Sequence, residues 1–143
     1  MSRYLGIDFG EKRIGLAISD PSRTIAQPLK TIVYQTLNNA FQEIHRVLQD
    51  YAVEKIIVGL PVTLKGSDSP KTRETRAFIE RLRHRVTVPV EAFDERLTTL
   101  QAHRSLRAMG QKPSRKKDKV DQLAAVHLLQ SFLDLETNQR MRS

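Results

Sequence analysis

A short, mostly apolar run, Val53–Leu60, follows a segment, Leu37–Tyr51, whose apolar residues recur at helical spacing. An apolar strand reached through a helix is typical of a parallel strand buried in the middle of a sheet. Such a sheet requires helices on its faces, so we expect an α/β fold. The chain of 143 residues is close to the commonest size of one folding unit, and we expect a single domain over residues 1–143.

Three strand-like segments come before this helix and strand. Arg3–Phe9 and Arg13–Ser19 are joined by a tight turn at residues 10–12, which predicts a hairpin. A third strand is expected over residues 24–33, and Pro28 favours an edge position because proline cannot donate to a neighbouring strand. Together with the later parallel strands, this antiparallel meander predicts a mixed five-stranded sheet flanked by helices.

The second half of the chain continues with alternating helices and strands. Ser69 is a favourable N-cap and Pro70 suits a first helical position, which predicts a second helix as far as about Arg85. The remaining predicted elements are a strand at 86–93, a segment at 94–99 that leads into a helix ended by Gly110, a basic linker at 111–117 and a last helix from about Asp118 to about Leu135. The carboxyl ends of parallel strands meet at one edge of such a sheet, where ligand sites gather.

The charge of the chain points to a polyanionic partner. With 24 Lys and Arg against 16 Asp and Glu, the formal net charge is +8. The excess lies in the second half, because residues 1–70 contain 8 basic and 7 acidic side chains and residues 71–143 contain 16 and 9. Nucleic acid is the natural partner of such a surface, and the alternative is a basic protein that is merely soluble.

The sequence also excludes several classes of protein. Without cysteine there are no disulfides, thiolate nucleophiles, zinc fingers or iron–sulfur clusters, and with four scattered histidines any metal should be held by oxygen ligands. Neither a P-loop nor a nucleophile-elbow motif is present. There is no signal-peptide pattern and no apolar run near the roughly 18 residues that span a bilayer, so we expect a cytoplasmic protein.

Four acidic residues stand out by their positions. Asp8 lies between apolar residues in a strand expected to be central, where it needs a partner, either an arginine such as Arg13 or a divalent metal ion. Asp94 and Glu95 directly follow a predicted strand and suit either a site or a helix cap. Asp121 lies in the first turn of the last helix, where the helix dipole alone favours a carboxylate.

The joint pattern of these acids says more than any one of them. An acid in the first strand, one after a later strand and one in the C-terminal helix can converge on a single point. Oxygen ligands suit Mg²⁺ or Mn²⁺, and two such ions about 3.5–4 Å apart would activate a water and stabilise the leaving 3′ oxygen of a phosphodiester. The acids therefore predict nuclease chemistry that depends on two metal ions.

Four short blocks of residues are distributed along almost the whole length of the chain. They are Gly6–Gly10 with Arg13–Ala17 and Ser19–Asp20, then Ile57–Pro61, then Asp94–Thr99, and then Asp118–Ala125. Together they resemble the YqgF family of Holliday-junction-resolvase-like nucleases. The resemblance implies a ribonuclease H-like fold and a bacterial cytoplasmic protein that matures the 5′ end of the 16S ribosomal RNA precursor. A relation to resolvases keeps four-way DNA junctions as an alternative substrate.

The resemblance also implies roles for individual acids. Asp8 resembles the first-strand acid of the family, Glu95 the second acid and Asp121 the helix acid, as catalytic residues and metal ligands. Asp94 and Asp118 are neighbouring candidates for the metal. Because adjacent residues after a strand point in different directions, the sequence does not show whether Asp94 or Glu95 faces the metal, and we choose Glu95.

Ten residues near the proposed acids are candidates for binding nucleic acid. They are Arg13, Arg73, Arg76, Arg96, Thr98, Lys112, Arg115, Lys116, Lys117 and Lys119. Their phosphate contacts would give salt-dependent affinity with little sequence selectivity. Arg73, Arg76 and Arg83 are spaced for one side of a helix, and the alternative for them is a solvated charged face. The three tyrosines form no evident stacking platform, so we expect recognition of shape rather than of bases.

Two further functions and the oligomeric state remain open. Gly6–Gly10 in a first hairpin also resembles the phosphate loop of actin-like ATPases and sugar kinases, although those enzymes close two such domains around a nucleotide and 143 residues supply one. The other alternative is a non-enzymatic nucleic-acid-binding module in which Asp8 has only a structural role. With no long uncommitted apolar surface, we expect a monomer or a weak homodimer.

Overall fold

A five-stranded mixed sheet is the framework of the protein. The computed structural model describes residues 2–98 and 117–142, and for residues 117–119 and 142 it describes the backbone only. The strands are β1 (Arg3–Phe9), β2 (Arg13–Ser19), β3 (Ala26–Val33), β4 (Val53–Leu60) and β5 (Val90–Asp94). Their order is β3-β2-β1-β4-β5, with β1, β2 and β3 antiparallel and β4 parallel to both β1 and β5. This confirms the predicted sheet and places β3, which contains Pro28, at an edge.

Helices lie on both faces of the sheet. They are α1 (Leu37–Asp50), α2 (Pro70–Arg83) and α3 (Lys117–Arg142). The Ser69 hydroxyl accepts the backbone N–H of Thr72 at 3.2 Å, so the predicted N-cap and the helix that follows it are both confirmed. None of the helices within the described residues combines the length and apolarity needed to cross a membrane.

The sheet separates two apolar cores. Leu5 and Ile7 of β1 belong to the core beneath α1 and α2, and Tyr4 belongs to the core beneath α3. Because successive side chains of a strand point to opposite faces, Asp8 lies on the α3 face and Phe9 on the α1 and α2 face. The end of β1 therefore presents chemically different side chains to the two sides of the sheet.

The third strand begins at Ala26, two residues later than predicted. The Asp20 carboxylate accepts the backbone N–H groups of Thr24 at 2.7 Å and Ile25 at 2.9 Å, and these bonds hold the pKa of Asp20 well below its usual range. Asp20, which forms part of the first sequence block, thus closes a loop before β3.

The fifth strand begins at Val90 rather than at residue 86. Pairing with β4 starts after Pro89, which has no N–H to donate to a neighbouring strand. The Arg83 guanidinium donates to the Val90 carbonyl at 2.9 and 3.1 Å, so this arginine of α2 anchors the start of β5 instead of facing a ligand.

The helix boundaries in the second half also differ from the predicted ones. The second helix ends at Arg83 instead of Arg85, and the last one runs on from Lys117 to Arg142 instead of ending at Leu135. Its added turns carry an i,i+4 ion pair between Glu136 and Arg140 at 2.7 Å. The segment expected to lead into the next helix contains a short 3₁₀ helix, Glu95–Leu97, and the predicted helix that ends at Gly110 falls within residues 99–116, outside the described part of the chain.

Candidate active site

Asp8 lies near the carboxyl end of the central strand β1, on the face that α3 covers. Its cross-strand neighbour is Gly15 of β2. On the other side of β1, Ile7 pairs with Val58 of β4, so the strand is held from both sides. The carboxylate is therefore attached to a strand that is paired on both sides.

Helix α3 reaches Asp8 because glycines let it approach the sheet closely. A Cβ atom added to Gly15 would lie 2.1 Å from the carbonyl oxygen of Asp121, and one added to Gly6 would lie 2.9 Å from Cβ of Leu129. Ala125, between these contacts along the helix, is fully buried. The close approach brings Asp121 beside β2 and buries its Oδ2 atom, as the small residues of this helix predicted.

Glu95 comes to the same region from the end of β5. It opens the 3₁₀ helix, and its Oε1 atom lies 2.6 Å from the point where Gly59 of β4 would carry a Cβ. The carboxylate thus lies over a position on β4 that has no side chain. Leu128 of α3 borders the same position, which places Glu95 on the face that carries Asp8.

Asp94 has a different role from its neighbour. Its carboxylate accepts the backbone N–H of Arg96 at 2.9 Å and the guanidinium of Arg96 at 2.6 Å. The Arg96 guanidinium holds the pKa of Asp94 below its usual range. Asp94 therefore caps the 3₁₀ helix and pairs with Arg96, while Glu95 is the member of the pair directed toward Asp8.

The three acids act on one another electrostatically. Burial, as the largest cause, and the negative charges of Glu95 and Asp121 together raise the pKa of Asp8 to about 7, whereas the Lys71 ammonium opposes the shift. Within residues 2–98 and 117–142, however, no three Asp, Glu or His side chains stand close enough together to hold a metal ion as they are placed. The three acids lie at the same end of the sheet, but their carboxylates as placed do not form a set of metal ligands.

The raised pKa makes the stability of the metal-free protein depend on pH. Folding favours protonated Asp8, so stability falls as pH rises from the usual pKa of 3.8 toward about 7 and changes little from this source above that value. We expect Asp8→Asn to raise the free energy of unfolding at pH 8, by at most roughly 4 kcal/mol, and to change it little near pH 4.

Urea unfolding in EDTA at the two pH values measures this effect. Asp50→Asn, a change to an exposed aspartate at the end of α1, is the matched control and should alter stability equally little at both. An Asp8→Asn protein that is no more stable than the wild type at pH 8 would show that burial and the neighbouring carboxylates do not destabilise the ionised Asp8 side chain.

Lys71 is a site residue that sequence reasoning missed. Its ammonium acts on Asp8 and lies 5.9 Å from the centroid of the Phe9 ring, so it stands at the end of β1. It occupies the first turn of α2, where the helix dipole disfavours a positive charge. That unfavourable position was the signal in the sequence that could have identified it.

The predicted nucleic-acid-binding residues differ in how close they lie to the three acids. Arg13 lines a cavity of about 380 Å³ together with Glu11, Lys12 and Asp121, so it borders the acids. On α2, Arg76 pairs with Asp68 at 2.9 Å. Three more residues of this set lie before residue 99: Arg73 donates to the Asp68 carbonyl at 3.4 Å, Arg96 pairs with Asp94, and Thr98 follows the 3₁₀ helix as its C-cap.

The basic cluster before α3 is only partly described. Lys117 and Lys119, with the metal candidate Asp118, lie in the first turn of α3, on the element that carries Asp121. Lys112, Arg115 and Lys116 lie outside the described residues. The backbone therefore brings Lys117, Asp118 and Lys119 to the same end of α3 as Asp121.

The order of the strands, the helix packed across glycines and the three acids at one end of the sheet together define a ribonuclease H-like protein. A solved structure with this fold is T. thermophilus RuvC in complex with Holliday junction substrate. It matches with a TM-score of 0.57 at 16% identity, over 96% of this chain and 98% of that one. At this identity the likeness concerns the fold.

The chain belongs to the RuvX family, described as Holliday junction resolvase, whose model matches residues 2–135. It is 42% identical over 134 residues to the "Putative pre-16S rRNA nuclease" of Chloroflexus aggregans, which is 94% of each chain. It is 43% identical over 137 residues to the protein of the same name from Caldanaerobacter subterraneus subsp. tengcongensis, covering 95% of this chain and 99% of that relative. The family predicted from the four sequence blocks is confirmed.

Proposed function

We propose that this protein is a metal-dependent nuclease that hydrolyses phosphodiester bonds of the 16S ribosomal RNA precursor at its 5′ end, in the cytoplasm. The observation that carries the proposal is the convergence of Asp8, Glu95 and Asp121, which come from three separate elements, at one end of the sheet. Relatives about 40% identical over nearly the whole chain bear the name of a pre-16S rRNA nuclease, which supports the choice of substrate.

The chemistry of these side chains suits a divalent cation. All three offer carboxylate oxygens, the ligands that Mg²⁺ and Mn²⁺ prefer, and a cation would relieve their mutual repulsion. We therefore assign Asp8, Glu95 and Asp121 as the ligands of Mg²⁺ or Mn²⁺, with two ions as the expected number. When bound, the metal supplies an activated water and neutralises charge on the phosphate.

The protein's own residues then position the substrate and handle its charges. Hydrolysis adds the oxygen of water to phosphorus and breaks the bond to the 3′ oxygen, which takes up a proton as it leaves. Lys71, whose charge acts on Asp8, would offer its ammonium to a non-bridging phosphate oxygen. Arg13, which lines a cavity together with Asp121, would offer a second contact to the nucleic-acid backbone.

A four-way DNA junction is the second candidate substrate. The family description as Holliday junction resolvase favours it. A junction has two-fold symmetry and would be cut by two copies of the chain, whereas cleavage at the end of a precursor RNA needs one. We propose a monomer or weak homodimer, for which the RNA is the simpler substrate.

Cleavage of both substrates by the same preparation tests the proposal. End-labelled pre-16S RNA and a synthetic four-way DNA junction are each incubated with Mg²⁺, Mn²⁺ or EDTA. We expect metal-dependent cutting of the RNA at a defined position and weaker or no cutting of the junction. Preferred cutting of the junction would establish the second candidate, and tight binding without cutting of either would establish a non-enzymatic module.

The adjacent acids provide a matched pair of variants. Glu95→Gln should lower the rate of cleavage about 100-fold or more, because it removes one carboxylate from the cluster. Asp94→Asn removes the same charge one residue earlier, where it pairs with Arg96 at 2.6 Å, and should cost about 1 kcal/mol of stability with only a small change in rate. Single-turnover cleavage with urea unfolding of both variants measures the difference, and the reverse order of effects would assign the metal to Asp94.

A further inference from the structure

An aromatic pocket of about 390 Å³ lies at the same end of the sheet as the acids, on the face covered by α1 and α2. The rings of Phe9 and Phe78 are stacked with centroids 4.2 Å apart, and Phe9 and Tyr34 lie 6.4 Å apart with 24° between their planes. Phe78 is buried behind the others, whereas Phe9 and Tyr34 are half-buried and keep part of their surfaces accessible. We name this cavity the Phe9 pocket.

The rim of the Phe9 pocket carries a small set of polar groups. They are the carboxylates of Glu11 and Glu74, the amide of Gln35 and the guanidinium of Arg81. The Tyr34 hydroxyl donates to the Gly10 carbonyl at 2.6 Å, which fixes the orientation of that ring. Rigid apolar walls with a few polar groups at the mouth are the usual composition of a site for a small planar ligand.

The position of the pocket ties it to the candidate active site. Asp8 and Phe9 are consecutive residues, so their Cα atoms are about 3.8 Å apart although their side chains point to opposite faces. Lys71 links the two sides, because its ammonium acts on Asp8 and lies 5.9 Å from the Phe9 ring centroid. A phosphate held at Lys71 would therefore place the nucleotide that carries it within reach of the Phe9 pocket.

We propose that the Phe9 pocket binds one unpaired nucleobase of the substrate, adjacent to the phosphate at the acids; this rests on the nuclease function proposed above. The base stacks on the accessible surfaces of Phe9 and Tyr34. The carboxylates of Glu11 and Glu74 can accept hydrogen bonds from the amino groups of guanine, adenine or cytosine, whereas uracil has only its N3–H to donate, so we expect uracil to bind more weakly. Base selectivity then adds to the shape recognition expected from the sequence.

An abasic scan of the RNA tests the proposal. Labelled strands from the 5′ region of the 16S precursor each carry one abasic nucleotide at successive positions, and their binding is measured by fluorescence anisotropy in EDTA, where no cutting occurs. We expect one position at which loss of the base weakens binding to the wild-type protein roughly tenfold. At that position, uracil should bind more weakly than guanine, adenine or cytosine.

Variants of the pocket then decide where that base lies. Ala77 is exposed on α2 and lines the pocket, so Ala77→Leu fills it without changing the core. Ala77→Leu and Tyr34→Ala should bind the intact RNA as weakly as the wild-type protein binds the abasic one, with no further loss on the abasic RNA. Tyr34→Phe, which keeps the ring, should retain the wild-type preference, and Tyr51→Ala, a half-buried tyrosine after α1, is the control for loss of a ring.

The possible results separate the pocket from the nuclease proposal. A scan with no sensitive position, or pocket variants that weaken both RNAs equally, would overturn the Phe9 pocket while leaving the nuclease proposal intact. A wild-type protein that binds no RNA in any form would overturn both.

Discussion

Asp8→Asn should reduce phosphodiester cleavage by about 10²–10⁴-fold while leaving the protein folded and able to bind its substrate. Asparagine has nearly the same shape as aspartate but carries no negative charge, so it weakens the attraction of a divalent cation to the cluster. Removal of an anion from the binding surface should leave RNA affinity equal or slightly higher, because one repulsion with the phosphates is lost. Cleavage is measured in single turnover at saturating Mg²⁺, with binding measured separately in EDTA.

The control for this variant is Asp50→Asn, which removes a negative charge at the far end of α1. It should cleave at the wild-type rate. Cleavage by Asp8→Asn at a similar rate would show that Asp8 is structural, and would favour the non-enzymatic module or a different active site. A loss of both cleavage and binding would place Asp8 in substrate affinity instead of catalysis.

Gly15→Ala should be strongly destabilising. The added Cβ would lie 2.1 Å from the carbonyl oxygen of Asp121, and because this oxygen belongs to the backbone, the whole of α3 must move away from β2. Overpacking of this kind costs about 3 kcal/mol or more, which for a chain of this size lowers the melting temperature on the order of 10 °C. Thermal unfolding followed by circular dichroism measures the change.

Gly59→Ala is the matched comparison on the same face of the sheet. Its Cβ would lie 2.6 Å from Oε1 of Glu95 and 3.0 Å from Cδ2 of Leu128, both at the ends of flexible side chains, so rotations of these two side chains relieve the contacts. We expect a small change in melting temperature but a loss of cleavage, since Glu95 must leave its place. Equal melting temperatures for the two alanine variants would contradict the tight packing of α3 on Gly15.

Most of the sheet could be predicted from the sequence because its signals are local. Alternation, the turn at residues 10–12 and the Ser69 cap each depend on neighbouring residues. The start of β5 at Val90 depends on Pro89 and on the Arg83 contact with a carbonyl seven residues away, which periodicity does not show. The errors in the predicted strands were therefore confined to where β3 and β5 begin.

The candidate site was harder to predict because its geometry depends on contacts between distant elements. The sequence offered Asp94 and Glu95 equally, and only the bond from Arg96 back to Asp94 distinguishes their directions in the structure. Lys71 was missed because its relation to Asp8 depends on how α2 meets the end of β1. The stacking of Phe9 with Tyr34 was missed because the tyrosines were considered without the phenylalanines.

The pairing of Asp8 with Gly15 has a mechanical consequence. Because the backbone of Asp121 lies directly on Gly15, the spacing between two of the acids is set by neighbouring strands and a helix seated on them, with no long side chain to vary it. Glu95 instead comes from a three-residue helix after the edge strand β5 and has a longer side chain. The distance between Asp8 and Asp121 is therefore fixed by backbone packing, whereas the longer side chain of Glu95 has more rotamers with which to change its distance to the other two acids.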